Sequence, residues 1–205
     1  MPFKEAVIPL IDSLDQTASI IESVNTIVNT DGNLRGYNTD FAAVRSLLQQ
    51  NELSKEHSVL VIGSGGMAKA VVAAVSDLGV ADCKILARNE VAGVALAAKY
   101  GFTRTSTEVE ADFIINATPV GMSGGAEANQ VPVSDSVVKS AKTIFDVVAV
   151  PAITPLISKA KLFDKNVVVG TDVMTLQAVE QFVLYTGIRP SKDLISKAAE
   201  YSRSE

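Results

Sequence analysis

Ser58-Val-Leu-Val-Ile-Gly63-Ser-Gly65-Gly66-Met-Ala68-Lys-Ala70-Val-Val-Ala-Ala-Val75 decides the fold. A short run of buried-strand residues stops at a glycine turn, and a helix of small and apolar residues starts at once. Val59–Ile62 is predicted to be a strand and Gly65–Leu78 a helix, an order that sets a pyrophosphate on a helix N-terminus. Gly63 permits the tight turn, Gly65 lets the backbone approach phosphates, and Ala68 keeps helix and strand close. The pattern is G-x-G-x-x-A. A glycine turn that only joins strand to helix has the same letters, so the flanking strand and helix carry the weight.

Outward from this stretch the alternation continues. Strands are predicted at Lys84–Ala87, Phe113–Asn116, Thr143–Val147 and Asn166–Val169, with a short one near Phe102–Thr105. Helices are predicted at Val91–Lys99 and Pro155–Lys161, the latter capped by Thr154 with proline at its first position. Continuous apolar strands alternating with helices give an α/β, Rossmann-like, doubly wound parallel sheet. The first forty residues differ. Helices are expected at Lys4–Leu14 and Gln16–Ser23. A hairpin turning at Asp31-Gly32 and a helix at Asp40–Leu48 follow. Two further helices end the chain, Asp172–Thr186 stopped by Gly187 and one capped by Ser191 that runs to about Tyr201.

The 205 residues are 47% hydrophobic and 20% charged, enough for a sizeable core, and the net charge is −5. With no basic run, nucleic acid is excluded as a main partner. No segment has the length of a membrane span and no signal peptide is recognisable, so a cytoplasmic location is expected. One cysteine, Cys83, cannot form an internal disulfide and is read as core. One histidine, His57, is read as a loop residue. No histidine triad and no metal site is expected.

Several motifs occur in one order: Pro2-Phe3-Lys4, Val24-Asn25-Thr26-Ile27, Gly36-Tyr37-Asn38-Thr39-Asp40, the glycine loop, Asn116-Ala-Thr118-Pro-Val-Gly-Met122, Phe145-Asp146, Thr154-Pro-Leu156, and Gln177-Ala178 before Tyr185-Thr-Gly187. Together they resemble the shikimate dehydrogenase family, in its shikimate dehydrogenase-like branch, across nearly the whole chain. The resemblance implies an NADP-dependent oxidoreductase that interconverts 3-dehydroshikimate and shikimate, or a related hydroxylated cyclohexane carboxylate such as quinate. It implies that Lys4 and Asp40 are catalytic. An amine whose pKa is lowered by its surroundings can take the hydroxyl proton as hydride leaves, and the carboxylate orients it. Without the resemblance, Lys4 reads as a solvated lysine and Asp40 as a helix N-cap. Asn25 and Gln177 match substrate-binding amides; taken alone they read as a turn asparagine and a helix-surface glutamine. The site is expected in the crevice outside the carboxyl ends of the strands.

For the cofactor, the resemblance implies contacts from Gly63, Ser64, Gly65, Gly66, Met67 and Ala68, with Asn116, Thr118 and Val147 at strand ends. At the second strand's end Arg88 stands where NAD-binding domains carry an acid, so a 2′-phosphate, and hence NADP, is expected there. The family's further arginine in the helix that follows is replaced by Gly93, so weaker NADP binding is expected. Its substrate-side tyrosine is Ala149, and Val173 replaces a methionine near the nicotinamide.

Residues 1–40 are expected to be the remnant of an α/β substrate domain and 41–172 the NADP-binding domain with its leading helix. Residues 173–205 are expected to be helices packing back. The family's Ser-x-Ser, which holds the substrate carboxylate, has no counterpart before Lys4, so the N-terminal part of the substrate domain is expected to be absent. The competing expectation is a truncated or non-catalytic nucleotide-binding module. A homodimer is one way to cover apolar surface on the front piece. Replacing Arg88 with alanine should cost about 1.5–3 kcal/mol of NADP affinity, or ten- to a hundredfold, in a calorimetric titration; unchanged affinity removes the assignment.

Overall fold

The computed structural model describes residues 3–203. Met1 and Pro2 of the first motif lie outside the described residues. The chain divides into two compact units, one of residues 1–43 with 174–205 and one of residues 44–173.

The second unit is the expected α/β layer structure. Six strands, β4 (Val59–Ile62), β5 (Cys83–Leu86), β6 (Thr103–Thr105), β7 (Phe113–Asn116), β8 (Thr143–Asp146) and β9 (Asn166–Val168), form one sheet in the order β6-β5-β4-β7-β8-β9. Every pairing in it is parallel. The strand order reverses between β4 and β7, the switch point where such sheets bind ligands. Helices α3 (Gly66–Asp77), α4 (Glu90–Lys99), α5 (Asp135–Ser140) and α6 (Pro155–Leu162) make the crossovers. All residues of β4, β7 and β8 are buried, as strands covered on both faces must be. Leu60, Ile114 and Ile144 pack with Val138, Leu156 and Ile157 to form a core under α5 and α6.

The register sets the functional edge. Ile62 pairs with Leu86 on one side and Asn116 on the other, and Asn116 pairs with Asp146. Four strands therefore end level, and the residues that follow emerge on one edge.

In the first unit, β1 (Ser13–Leu14), β2 (Thr26–Thr30) and β3 (Asn33–Tyr37) make a small sheet ordered β1-β3-β2. The expected hairpin is present. Asp31 and Gly32 have φ of 51° and 90°, the double left-handed turn that Asp-Gly favours, and Gly32 N–H donates to Asn29 Oδ1 at 2.9 Å. Helix α1 (Gln16–Ile21) is capped by Asp15. Helices α2 (Thr39–Gln50) and α7 (Gly170–Thr186) each run across the residue at which the units divide, and α8 (Lys192–Arg203) ends the described chain.

Two expectations need correction. Lys4–Leu14 is not a helix. Residues 3–7 form turns, Ile8–Leu10 is one 3-10 turn, and Ser13–Leu14 is a strand. Pro9 explains this, since it has no N–H to give and its ring opposes the carbonyl four residues back. The N–H of Ile8 bonds to Glu5 O, and that of Leu10 to Val7 O, in three-residue steps. The short α5 was not expected. Ser134 stands at its N-cap position but does not cap it. Its N–H and hydroxyl both bond to Glu108 Oε2, at 2.9 and 2.6 Å. Cys83 is buried, and desolvation with nearby Asp82 pushes its thiol up to about 12. His57 is half-buried, edge-on to Phe113 at 5.2 Å. No helix among the described residues is long and apolar enough to cross a membrane.

Asp112 fastens the start of β4 to that of β7. Its Oδ2 accepts from Ser58 N–H and Ser58 Oγ, both at 2.9 Å, and its Oδ1 meets Lys142 Nζ at 3.0 Å. The Ser58 amide first, then Lys142, hold this carboxyl down at about 2. The folded value lies below the unfolded one, so the stabilisation is complete above about pH 4 and is lost as pH falls toward 2. Asp112→Ala should lower unfolding free energy by roughly 1–2 kcal/mol at neutral pH in urea titrations. The deficit should shrink on acidification through that window.

Candidate active site

The turn after β4 rests on one backbone conformation. Gly63 has φ +117°, and a Cβ there would stand 3.0 Å from Ala117 O and 3.1 Å from Thr118 Cγ2. Its N–H donates to Leu86 O at 2.8 Å, which ties the turn to the neighbouring strand. A Cβ on Gly65 or Gly66 would meet nothing within 4 Å, so both backbones face open space where α3 begins. A cavity of about 640 Å³ opens at this edge, with Gly63, Ser64, Gly65, Arg88, Arg104 and Thr118 among its lining residues. That volume suits a small organic ligand.

The other expected cofactor residues stand differently. Gly66, Met67, Ala68, Asn116 and Val147 are not in the lining. Ala68 is buried in the first turn of α3. Asn116 is wholly buried and acts through its neighbours. Its Nδ2 donates to Asp146 Oδ1 at 3.0 Å and to Val120 O at 3.2 Å. Its Oδ1 accepts from Thr118 N–H and Thr118 Oγ1, at 3.1 and 2.6 Å, which holds Thr118 on the cavity wall. Asp146 also accepts from Thr154 Oγ1 at 2.7 Å and Val148 N–H at 3.1 Å. Burial pushes its carboxyl above the ordinary range, against the pull of these donors.

Arg88 lines the cavity. Its side chain is 75% exposed and its Nη1 meets Glu127 Oε1 at 3.0 Å. Sequence reasoning missed both Glu127 and Arg104. The signal available for Arg104 was a cation inside the short predicted strand Phe102–Thr105, next to the strand that ends at Arg88.

In the first unit the structure brings Lys4, Asn25 and Asp40 together. Lys4 Nζ donates to Asp40 Oδ2 at 2.6 Å, with side-chain exposures of 24% and 4%. Asp40 is not the cap of α2. Asn38 Oδ1 takes the Phe41 N–H at 3.1 Å, which leaves Asp40 in the first turn for Lys4. The segments that carry these three residues are tied to one another. Val24 N–H donates to Lys4 O at 2.8 Å, and Thr39 N–H to Asn25 Oδ1 at 2.9 Å. The Asn25 Oδ1 also accepts from the Thr26 and Thr39 hydroxyls, at 2.9 and 3.2 Å. Its Nδ2 is buried with no hydrogen-bond partner. Gln177 is half-buried on α7. One turn on, Gln181 Nε2 reaches Thr26 Oγ1 at 3.3 Å. No cluster of three metal-ligating side chains occurs among the described residues.

No protein-family model matches the chain. It is 46% identical to a shikimate dehydrogenase-like protein of Haemophilus influenzae, over 100% of its own length and 76% of that protein's. The chain belongs to the shikimate dehydrogenase family. A shikimate dehydrogenase (NADP(+)) of Dehalococcoides mccartyi is 32% identical over the same shares of the two chains. Among solved structures, a shikimate 5-dehydrogenase-like protein matches with a TM-score of 0.95 at 46% identity. The match covers 99% of this chain and 76% of that one. The shikimate 5-dehydrogenase of Thermus thermophilus, solved with NADP(H) and shikimate, matches at 0.86 and 27% identity, covering 98% and 76%. A quinate dehydrogenase of Corynebacterium glutamicum, solved with NAD, matches at 0.85 and 28%, covering 100% and 76%.

Gly63→Ala places a methyl group 3.0 Å from Ala117 O at a φ that side chains avoid. It should cost about 1–3 kcal/mol in a thermal or urea unfolding experiment, while Gly65→Ala should be near neutral.

Proposed function

We propose that the chain is an NADP-dependent oxidoreductase that interconverts 3-dehydroshikimate and shikimate, or a related hydroxylated cyclohexane carboxylate such as quinate. The observation that carries this is the Lys4–Asp40 pair, with the preceding residues Val24 and Thr39 holding Asn25 nearby and the buried Asn25 amide nitrogen left with no partner. A polyhydroxylated acid supplies what that nitrogen lacks, since a buried donor left unpaired costs about 1–3 kcal/mol. In this reading a substrate hydroxyl accepts from Asn25 Nδ2, and Gln177 offers a second amide.

The residues of the second unit fit a phosphorylated dinucleotide. The glycine turn leaves the start of α3 open to a pyrophosphate, and Arg88 and Arg104 at the cavity wall suit a 2′-phosphate. Bound NADP supplies the hydride acceptor, or NADPH the donor in the reverse direction. The protein's part is the proton. The Lys4 amine takes it from the reacting hydroxyl as the carbonyl forms, and returns it when the carbonyl is reduced. Asp40 Oδ2 holds the resulting ammonium in place. General acid–base groups of this kind contribute about 10²- to 10⁴-fold.

Lys4→Ala should lower kcat for NADP-linked oxidation of shikimate or quinate by that factor, followed by NADPH absorbance, with NADP affinity unchanged. A second reading, a nucleotide-binding module without turnover, draws on Ala149, which brings no hydroxyl to the substrate side. NADP binding by a wild-type chain that oxidises neither acid would establish that second reading instead.

A further inference from the structure

We propose that Arg104, on β6, is the second cationic ligand of the adenosine 2′-phosphate, and that Gly93 exists to make room for it. The inference rests on the NADP reading above and goes beyond the expectation of a phosphate site thinned to Arg88 alone.

The two arginines at the cavity are held in opposite ways. Arg88 projects into solvent with one point contact, to Glu127. The Arg104 side chain is 18% exposed. Its position comes from the sheet, because Arg104 pairs with Ile85 in the parallel ladder of β5 and β6. Its head is fixed by two hydrogen bonds. Nη2 donates to Ala87 O at 3.3 Å and Nη1 to Glu90 Oε1 at 3.2 Å. Ala87 directly precedes Arg88, so both cations hang from one backbone junction at the end of β5. That junction is where the ribose of a bound dinucleotide is read.

The Arg104 guanidinium is incompletely satisfied. Both of those bonds are long, the Glu90 side chain is itself mostly exposed, and the Nε–H is buried with no partner. A planar fork of donors with capacity left over, at the wall of a cavity, is built for an oxyanion. Each arginine meets a single carboxylate, Glu127 for Arg88 and Glu90 for Arg104. Those carboxylates occupy the guanidinium groups as an incoming phosphate would. Exposed pairs of this kind are weak and give way to a dianion.

Gly93 completes the arrangement. A Cβ there would lie 2.7 Å from Ala87 Cβ and 3.2 Å from Arg104 Cγ. Any side chain at that position of α4 pushes on the Arg104 stem and on the junction that orients Arg88. Glycine costs helix stability, and here it admits the stem of an arginine from the neighbouring strand.

The test compares two probes by calorimetry, adenosine 2′,5′-bisphosphate and adenosine 5′-monophosphate, on wild type, Arg88→Ala and Arg104→Met. Methionine keeps an apolar stem against Gly93 and removes the charge, and a thermal melt of each variant checks the fold. Arg104→Met should weaken the bisphosphate ten- to a hundredfold and the monophosphate less than twofold. Glu90→Gln should strengthen the bisphosphate two- to fivefold. An Arg104→Met protein that binds the bisphosphate as wild type does, while Arg88→Ala loses it, overturns this proposal and leaves the NADP reading intact. Equal weakening of both probes makes Arg104 a packing residue and also overturns it. A wild type that binds the two probes equally well overturns both this proposal and the NADP reading.

Discussion

The hydrogen bond between Asn116 and Asp146 is the constraint on which the cavity edge depends. The two residues end adjacent strands in register, and both are completely buried. A carboxylate with no access to water must find its donors in the protein. Asp146 takes them from three places: the side chain of β7, the backbone after β8, and the cap of α6. Thr154 passes this on, since the hydroxyl that donates to Asp146 also accepts the Ile157 N–H that starts α6. Asn116 spends its remaining acceptor on Thr118. One buried carboxylate thus fixes the loop after β7 at the place where the sheet changes direction.

Much of the second unit was legible in the sequence, and for a physical reason. Strands buried on both faces carry unbroken apolar runs, and their helices carry local caps, so Val59–Ile62, Phe113–Asn116 and Thr154-Pro155 announce themselves. What the sequence hid was set by distant partners. The strand Ser13–Leu14 is two residues long and exists because β3 accepts it in parallel. Ser134 stands at the cap position of the short α5, but Glu108 takes its hydroxyl and the capping bond is not made. Pro9 did carry a local signal against a helix over Lys4–Leu14.

The candidate site divides the same way. The family motifs named Lys4, Asn25 and Asp40, but only the fold explains why they meet. Asn38 takes over the capping of α2 and releases Asp40, while Thr39 and Thr26 saturate one end of Asn25 and leave the other unused. Arg104 could not be found by spacing. It lies 16 residues beyond Arg88 in the chain, and the parallel ladder of β5 and β6 brings it back.

The environment of Cys83 has a chemical outcome of its own. Burial pushes the thiol up to about 12, so at pH 7 it stays protonated. Disulfide exchange and oxidation to sulfenic acid both begin from the thiolate. The chain's single sulfhydryl is thereby withdrawn from redox chemistry. Its buried sulfur is also shielded from the thiol of a second copy.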